Sequence, residues 1–160
     1  MSYFFSPMNE SSARIIVNWR YDELLEFYNH NLSDIEETVQ EFLNPDNAYY
    51  TIINNRKQLV AYCCFGADAR VKGGKYDIKA LDIGFGIHPD LSRKGITLRI
   101  INAVFNFAKK KFEPTLFRIT VAEFNKQVLR ICEKIGFEQV QKFQRGQDDI
   151  YFLVLVLNHQ

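Results

Sequence analysis

The segment Ile87-His88-Pro89-Asp90-Leu91-Ser92-Arg93-Lys94-Gly95-Ile96-Thr97-Leu98 has the residue types and spacing of an anion site. A strand pattern ends at its proline, a short basic loop follows, and an amphipathic helix pattern begins. The start of a helix presents backbone N–H groups without intrahelical partners and about half a positive charge, which can hold a phosphate with no particular side chain. Gly95 lets the main chain close on the anion, and Arg93 and Lys94 add charge beside it. The same loop also reads as an ordinary strand-to-helix connection carrying two solvated cations. Two other phosphate loops do not fit. Gly-x-x-x-x-Gly-Lys-Ser/Thr is absent, and Gly84-x-Gly86 meets Pro89 where the dinucleotide pattern requires a third glycine.

The elements that must position this loop can be read from periodicity. Tyr3 to Ser6 predicts a short strand, and Ser11 to Tyr28 has helical spacing with a break near Trp19-Arg20-Tyr21. Ser33-Asp34-Ile35-Glu36 carries the spacing of a capping box, which predicts a helix from Asp34 to about Leu43, before Pro45. Ala48 to Ile53 and Leu59 to Phe65 read as a hairpin around a polar turn. Ala80 to His88 is a strand with Leu81, Ile83, Phe85 and Ile87 on one face and Asp82, Gly84, Gly86 and His88 on the other, a face almost bare of side chains. Ser92 to Lys111 reads as a helix whose last-turn lysines suit its dipole. Phe117 to Ala122 is a strand, Lys126 to Ile135 a helix closed by Gly136, and Phe137 to Phe143 with Ile150 to Leu157 a final strand pair.

Composition narrows the class. With 160 residues, 47% hydrophobic and 24% charged, the chain reads as a single domain over 1–160. The 20 Lys+Arg nearly balance 19 Asp+Glu, so no basic footprint points to nucleic acid. Three cysteines form neither a disulfide framework nor a metal pair, which suits a reducing cytoplasm and predicts no metal. The N-terminal residues lack a basic-then-apolar leader pattern, and Ile150 to Leu157 is too short to span a bilayer, so a soluble, unexported protein without membrane partners is expected.

With these residues in place, the sequence resembles the GCN5-related N-acetyltransferases, and more narrowly the branch of ribosomal-protein N-terminal acetyltransferases. Ile87 to Leu98 resembles the family's coenzyme A loop. Asn125 followed by a helix ending Glu133-Lys134-Ile135-Gly136-Phe137 resembles its second motif, in the expected order and about thirty residues on. The resemblance implies an α/β fold with a mixed, largely antiparallel central sheet and helices on both faces. It implies acetyl-CoA as cosubstrate, the amides of residues 92 to 98 on the pyrophosphate, and backbone groups around Gly86, Ile87 and His88 on the pantetheine arm. That arm would lie where the parallel strands ending at His88 and Ala122 splay apart, beside Asn125. Ser92 and Thr97 depart from the family's usual Arg/Gln and Gly/Ala, and Cys132 stands where many members carry a tyrosine.

Acetyl transfer to an amine needs a neutral nitrogen near the thioester carbon, donors for its oxygen, and routes for protons. Asp82 on the bare strand face is the first candidate base and Glu123 the second; each also reads as a surface acid. Cys132 is a candidate proton donor to the leaving thiolate, or a small core hydrophobe on its helix. Trp19, Arg20 and Tyr21 are candidates for the wall that meets the amine, or an aromatic core anchor beside a surface arginine. The expected partner is an amine-bearing small molecule or a peptide N-terminus, and a homodimer is common among proteins of this resemblance. The expected reaction is direct transfer in a ternary complex. The rivals are a catalytically weak or inactive acyl-CoA-binding module, and an interaction protein of similar fold that binds no cofactor.

Overall fold

The strand-rich stretches and the amphipathic stretches alternate along the chain as their periodicities require. The order is β1 (Tyr3–Pro7), α1 (Glu10–Val17), α2 (Ile35–Leu43), β2 (Tyr49–Asn54), β3 (Leu59–Phe65), β4 (Leu81–Ile87), α3 (Lys94–Phe112), β5 (Leu116–Ala122), α4 (Lys126–Ile135), β6 (Glu138–Gln144) and β7 (Tyr151–Asn158). A 3₁₀ turn, Glu23–Tyr28, follows the break at residues 19 to 21. The computed structural model describes residues 2–91, 94–146 and 149–158, with the backbone alone at 23, 24 and 94. The strands follow the order β1-β2-β3-β4-β5-β7-β6. Pairing is antiparallel for β1 with β2, β2 with β3, β5 with β7 and β6 with β7, and parallel for β4 with β5. The mixed, mostly antiparallel sheet expected from the sequence is therefore present.

The chain divides into two compact units, Met1–Cys64 with Phe85–Val104 and Phe65–Gly84 with Phe105–Gln160. In the first, Asn9 accepts a hydrogen bond from the Ser12 amide at 2.8 Å and starts α1. The inward positions of the two helices, Ala13, Ile16, Val17, Val39 and Phe42, cluster with Trp19 against Tyr49, Leu59 and Tyr62. Each large side chain so buried contributes about 1.5–3 kcal/mol. The capping box expected at residues 33 to 36 does not form. Ser33 bonds Asn31 through both its amide and its hydroxyl, while Glu36 is drawn across to Arg14, whose guanidinium donates to both carboxylate oxygens at 2.8 and 3.0 Å. A bidentate ion pair with α1 has displaced a local cap.

In the second unit β5 lies between a parallel and an antiparallel neighbour, and its alternate residues Phe117, Ile119 and Val121 are buried. The Phe105 ring of α3 packs 5.9 Å from Phe117 and 5.0 Å from Phe137, and Phe65 meets Phe107 and Phe112. On α4, Val128, Leu129, Ile131 and Cys132 face inward. The helix ends at Gly136, whose φ of 119° is costly for any residue with a Cβ, and its amide bonds back to the carbonyls of Cys132 and Glu133.

Candidate active site

In the first unit, the end of β4 leads through a 3₁₀ turn, Pro89–Leu91, toward the start of α3 at Lys94. Ser92 and Arg93 lie outside the described residues, as does the Lys94 side chain. The first amides of α3, those of residues 94 to 96, have no carbonyl one turn back within the helix to bond. A Cβ built on Gly95 meets nothing within 4 Å, so the main chain is open to approach on that side. Thr97, which stands where the family usually has Gly or Ala, is 2% exposed and turned inward. Ile96 is half-buried and Leu98 is 38% exposed.

Hydrogen bonding sorts the backbone of β4. The Asp82 carbonyl accepts from the Gly66 amide and the His88 amide donates to the Val60 carbonyl, so the even-numbered residues direct their groups toward β3. By strand alternation Phe85 and Ile87 direct theirs to the opposite edge. Of the residues expected to offer backbone groups to a ligand, Gly86, Ile87 and His88, it is Ile87 whose groups face away from β3. At that edge the Tyr21 hydroxyl donates to the Ile87 carbonyl at 2.6 Å, and burial pushes the Tyr21 pKa well above the usual tyrosine range.

The bare face of β4 is not an open channel. A Cβ on Gly86 would come within 2.4 Å of the Tyr62 ring, so the glycine is there to let that ring lie on the strand. The His88 ring is covered by Trp19 at 5.0 Å, and its Nδ1 accepts from the Asp90 amide at 3.1 Å. Trp19 is 7% exposed and belongs to the core cluster. Its neighbour Arg20 donates through Nη1 to the carbonyls of Trp19 and Val17 at 2.8 and 3.3 Å. The first unit therefore brings Trp19, Arg20 and Tyr21 to the end of β4. Two side chains that the sequence does not single out belong here, Tyr62 and His30. The first had a signal, since a strand face of glycines must be covered by something large; the second had none.

The remaining candidates belong to the second unit and are already engaged. Asp82 is 2% exposed; its Oδ1 accepts from Arg118 Nε at 2.6 Å, and its Oδ2 from Arg118 Nη2 and Arg70 Nε, each at 2.8 Å. Both guanidinium groups lie over the Tyr76 ring. The reading of Asp82 as a solvated acid is corrected by this burial, and both of its oxygens already accept from arginines. Glu123 pairs with Lys142 at 2.8 Å, which holds its carboxyl below the usual glutamate range. Cys132 is fully buried, and burial pushes its thiol up to about 12. Asn125 caps α4 by position but makes no side-chain bond to the helix amides. Among the described residues no group of His, Cys, Asp and Glu has the arrangement of a metal site.

Comparison with known proteins shows the family and the fold. The model of the acetyltransferase (GNAT) domain family matches residues 4–138. No curated protein matches the chain. Solved structures of similar fold include an aminoglycoside N(6')acetyltransferase from Legionella pneumophila, with a TM-score of 0.72 and 20% identity over 99% of this chain and 94% of that one. Another is the aminoglycoside acetyltransferase AAC(6')-Ib in complex with coenzyme A, at 0.74 and 17% over 98% and 95%. A third is a chimera of the spermidine N-acetyltransferase SpeG from Vibrio cholerae with hSSAT, at 0.71 and 15% over 99% and 96%.

Proposed function

Since this chain belongs to the acetyltransferase (GNAT) domain family, we propose that it transfers an acetyl group from acetyl-CoA to a primary amine by direct attack in a ternary complex. The observation that carries the reading is the start of α3, where the first-turn amides of a helix follow a strand end and Gly95 leaves the main chain uncovered. Residues 92 to 98 would hold the pyrophosphate, with Arg93 and Lys94 adding charge. Phe85 and Ile87 would hold the pantetheine arm from the edge of β4 that faces away from β3. The Tyr21 hydroxyl fixes the Ile87 carbonyl and with it the line of that edge.

Acetyl-CoA supplies an acyl group activated as a thioester, and the chain binds and orients it. The amine nitrogen bonds to the thioester carbon, the carbon–sulfur bond breaks, one proton leaves nitrogen and one reaches sulfur. Because Asp82, Glu123 and Cys132 are engaged or enclosed, we assign the proton steps to solvent and the rate to proximity, which can be worth about 7–11 kcal/mol. The same engagement favours a second reading, a catalytically weak or inactive acyl-CoA-binding module. Turnover of an amine panel, followed by thiol release and mass spectrometry of the products, separates the two. Acetylated product is expected; tight CoA binding with no turnover on any amine would favour the module.

The acceptor is proposed as an amine-bearing small molecule or a peptide N-terminus, the latter resting on the two motifs shared with the ribosomal-protein branch. The family match runs through both compact units, which supports one acetyltransferase domain. A cytoplasmic location is proposed on three buried cysteines that form no disulfide. A homodimer is proposed on the resemblance alone.

A further inference from the structure

Among the described residues, Arg20 Nη2 is the buried side-chain polar atom left without a hydrogen-bond partner. The other terminal nitrogen of the same group holds two main-chain carbonyls. A buried charged donor without an acceptor is costly, and in a native protein such an atom calls for an explanation. Capping the end of α1 does not supply one, since one nitrogen already does that work. The flanking residues state where the free edge is held. Trp19 lies against His88, and Tyr21 bonds the Ile87 carbonyl, so Arg20 is fixed between two residues fastened to the end of β4.

We infer that Arg20 receives an oxyanion, a carboxylate or phosphoryl group carried by the acceptor close to its amine, and so selects acidic or zwitterionic amines. This rests on the proposed acetyl transfer, because the end of β4 is where the acceptor would meet the thioester. A guanidinium nitrogen suits such an oxygen, the charge on both partners strengthening the bond. A polycation such as spermidine would meet an unpaired like charge at this point. His30 lies close enough for the Arg20 charge to act on it: burial first, and then Arg20, push its pKa below the usual histidine range. The imidazole therefore reports on whatever neutralises the arginine.

The test compares matched amines under saturating acetyl-CoA: α-amino acids against their amides, phosphoethanolamine against ethanolamine, and spermidine. Wild type is expected to favour the oxyanion member about ten- to a hundredfold in kcat/KM, carried by KM, the range expected of one charge-assisted hydrogen bond. Arg20→Met should erase the preference and Arg20→Lys should keep part of it, with CoA affinity unchanged in both by calorimetry. Equal or better turnover of the amides or spermidine by wild type would overturn the inference, as would a preference that survives Arg20→Met. A loss of CoA affinity in Arg20→Met would overturn it too, by giving the arginine to the phosphates of CoA. If no amine is turned over, NMR titration of His30 with acetate and inorganic phosphate decides. A rise in its pKa in wild type and none in Arg20→Met supports the site, and no rise in either overturns it. Absence of CoA binding in wild type would defeat the proposed transfer, whereas the His30 response judges the oxyanion site independently.

Discussion

Asp82 joins arginines that lie 12 and 36 residues away in the chain. No local pattern announces such a meeting, and this is why a carboxylate on a strand face of glycines reads equally as a base or a surface acid. With all three groups drawn together, Asp82→Asn leaves Arg118 buried without its counter-charge. Urea denaturation should register a loss of about 3–5 kcal/mol, the usual cost of breaking a buried pair. The fold should weaken more than kcat falls. Glu123 is half-buried, and its effect appears in pH dependence. Lys142 lowers its pKa in the folded state, so the pair contributes stability above the ordinary glutamate range and loses it as pH falls through the folded value. Glu123→Gln should flatten the acid limb of the stability profile measured by thermal melts. Cys132 runs the other way. Its folded thiol titrates at about 12, so its contribution is present below the ordinary thiol range and fades as pH rises from that range toward 12. In the native protein it should resist a thiol reagent that labels it once the chain is unfolded.

At the scale of elements, the strands and helices were legible because each carries its period over five or more residues or ends at a strong punctuator such as Gly136. Elements whose ends depend on partners elsewhere were less so. The capping box at Ser33 and Glu36 is correct as a spacing, yet Arg14 on α1 competes for the glutamate and wins with two charge-assisted bonds. Gly86 of β4 was visible, but what covers it was not, because Tyr62 sits on another strand. The contact is specific enough to predict coupling. Gly86→Ala forces a Cβ into the Tyr62 ring, which is itself held among Trp19, Phe42 and Tyr49. The cost should be about 1–3 kcal/mol. In a double-mutant cycle with Tyr62→Ala, most of that penalty should disappear. Additive losses would show that the ring does not fix the glycine.

Across the whole molecule, two motifs about thirty residues apart were sufficient to point to the family, and the match over residues 4–138 bears that out. The narrower branch is a matter of acceptor choice, which depends on side chains such as Arg20 whose surroundings are set by tertiary packing. What the proposed transfer requires of every acceptor is a cosubstrate held by main chain at the start of α3. Gly95→Asp isolates that requirement. The site has room for the side chain, and an acid in the first turn of a helix favours the helix dipole, so folding should be unharmed while a bound diphosphate is repelled. Calorimetric titration of wild type and Gly95→Asp with CoA, alongside their melting temperatures, is the most direct measurement. A main-chain anion site requires binding by wild type and at least about tenfold weaker binding by the variant, at an equal or higher melting temperature. No heat with wild type, or equal affinity in the two proteins, would contradict it.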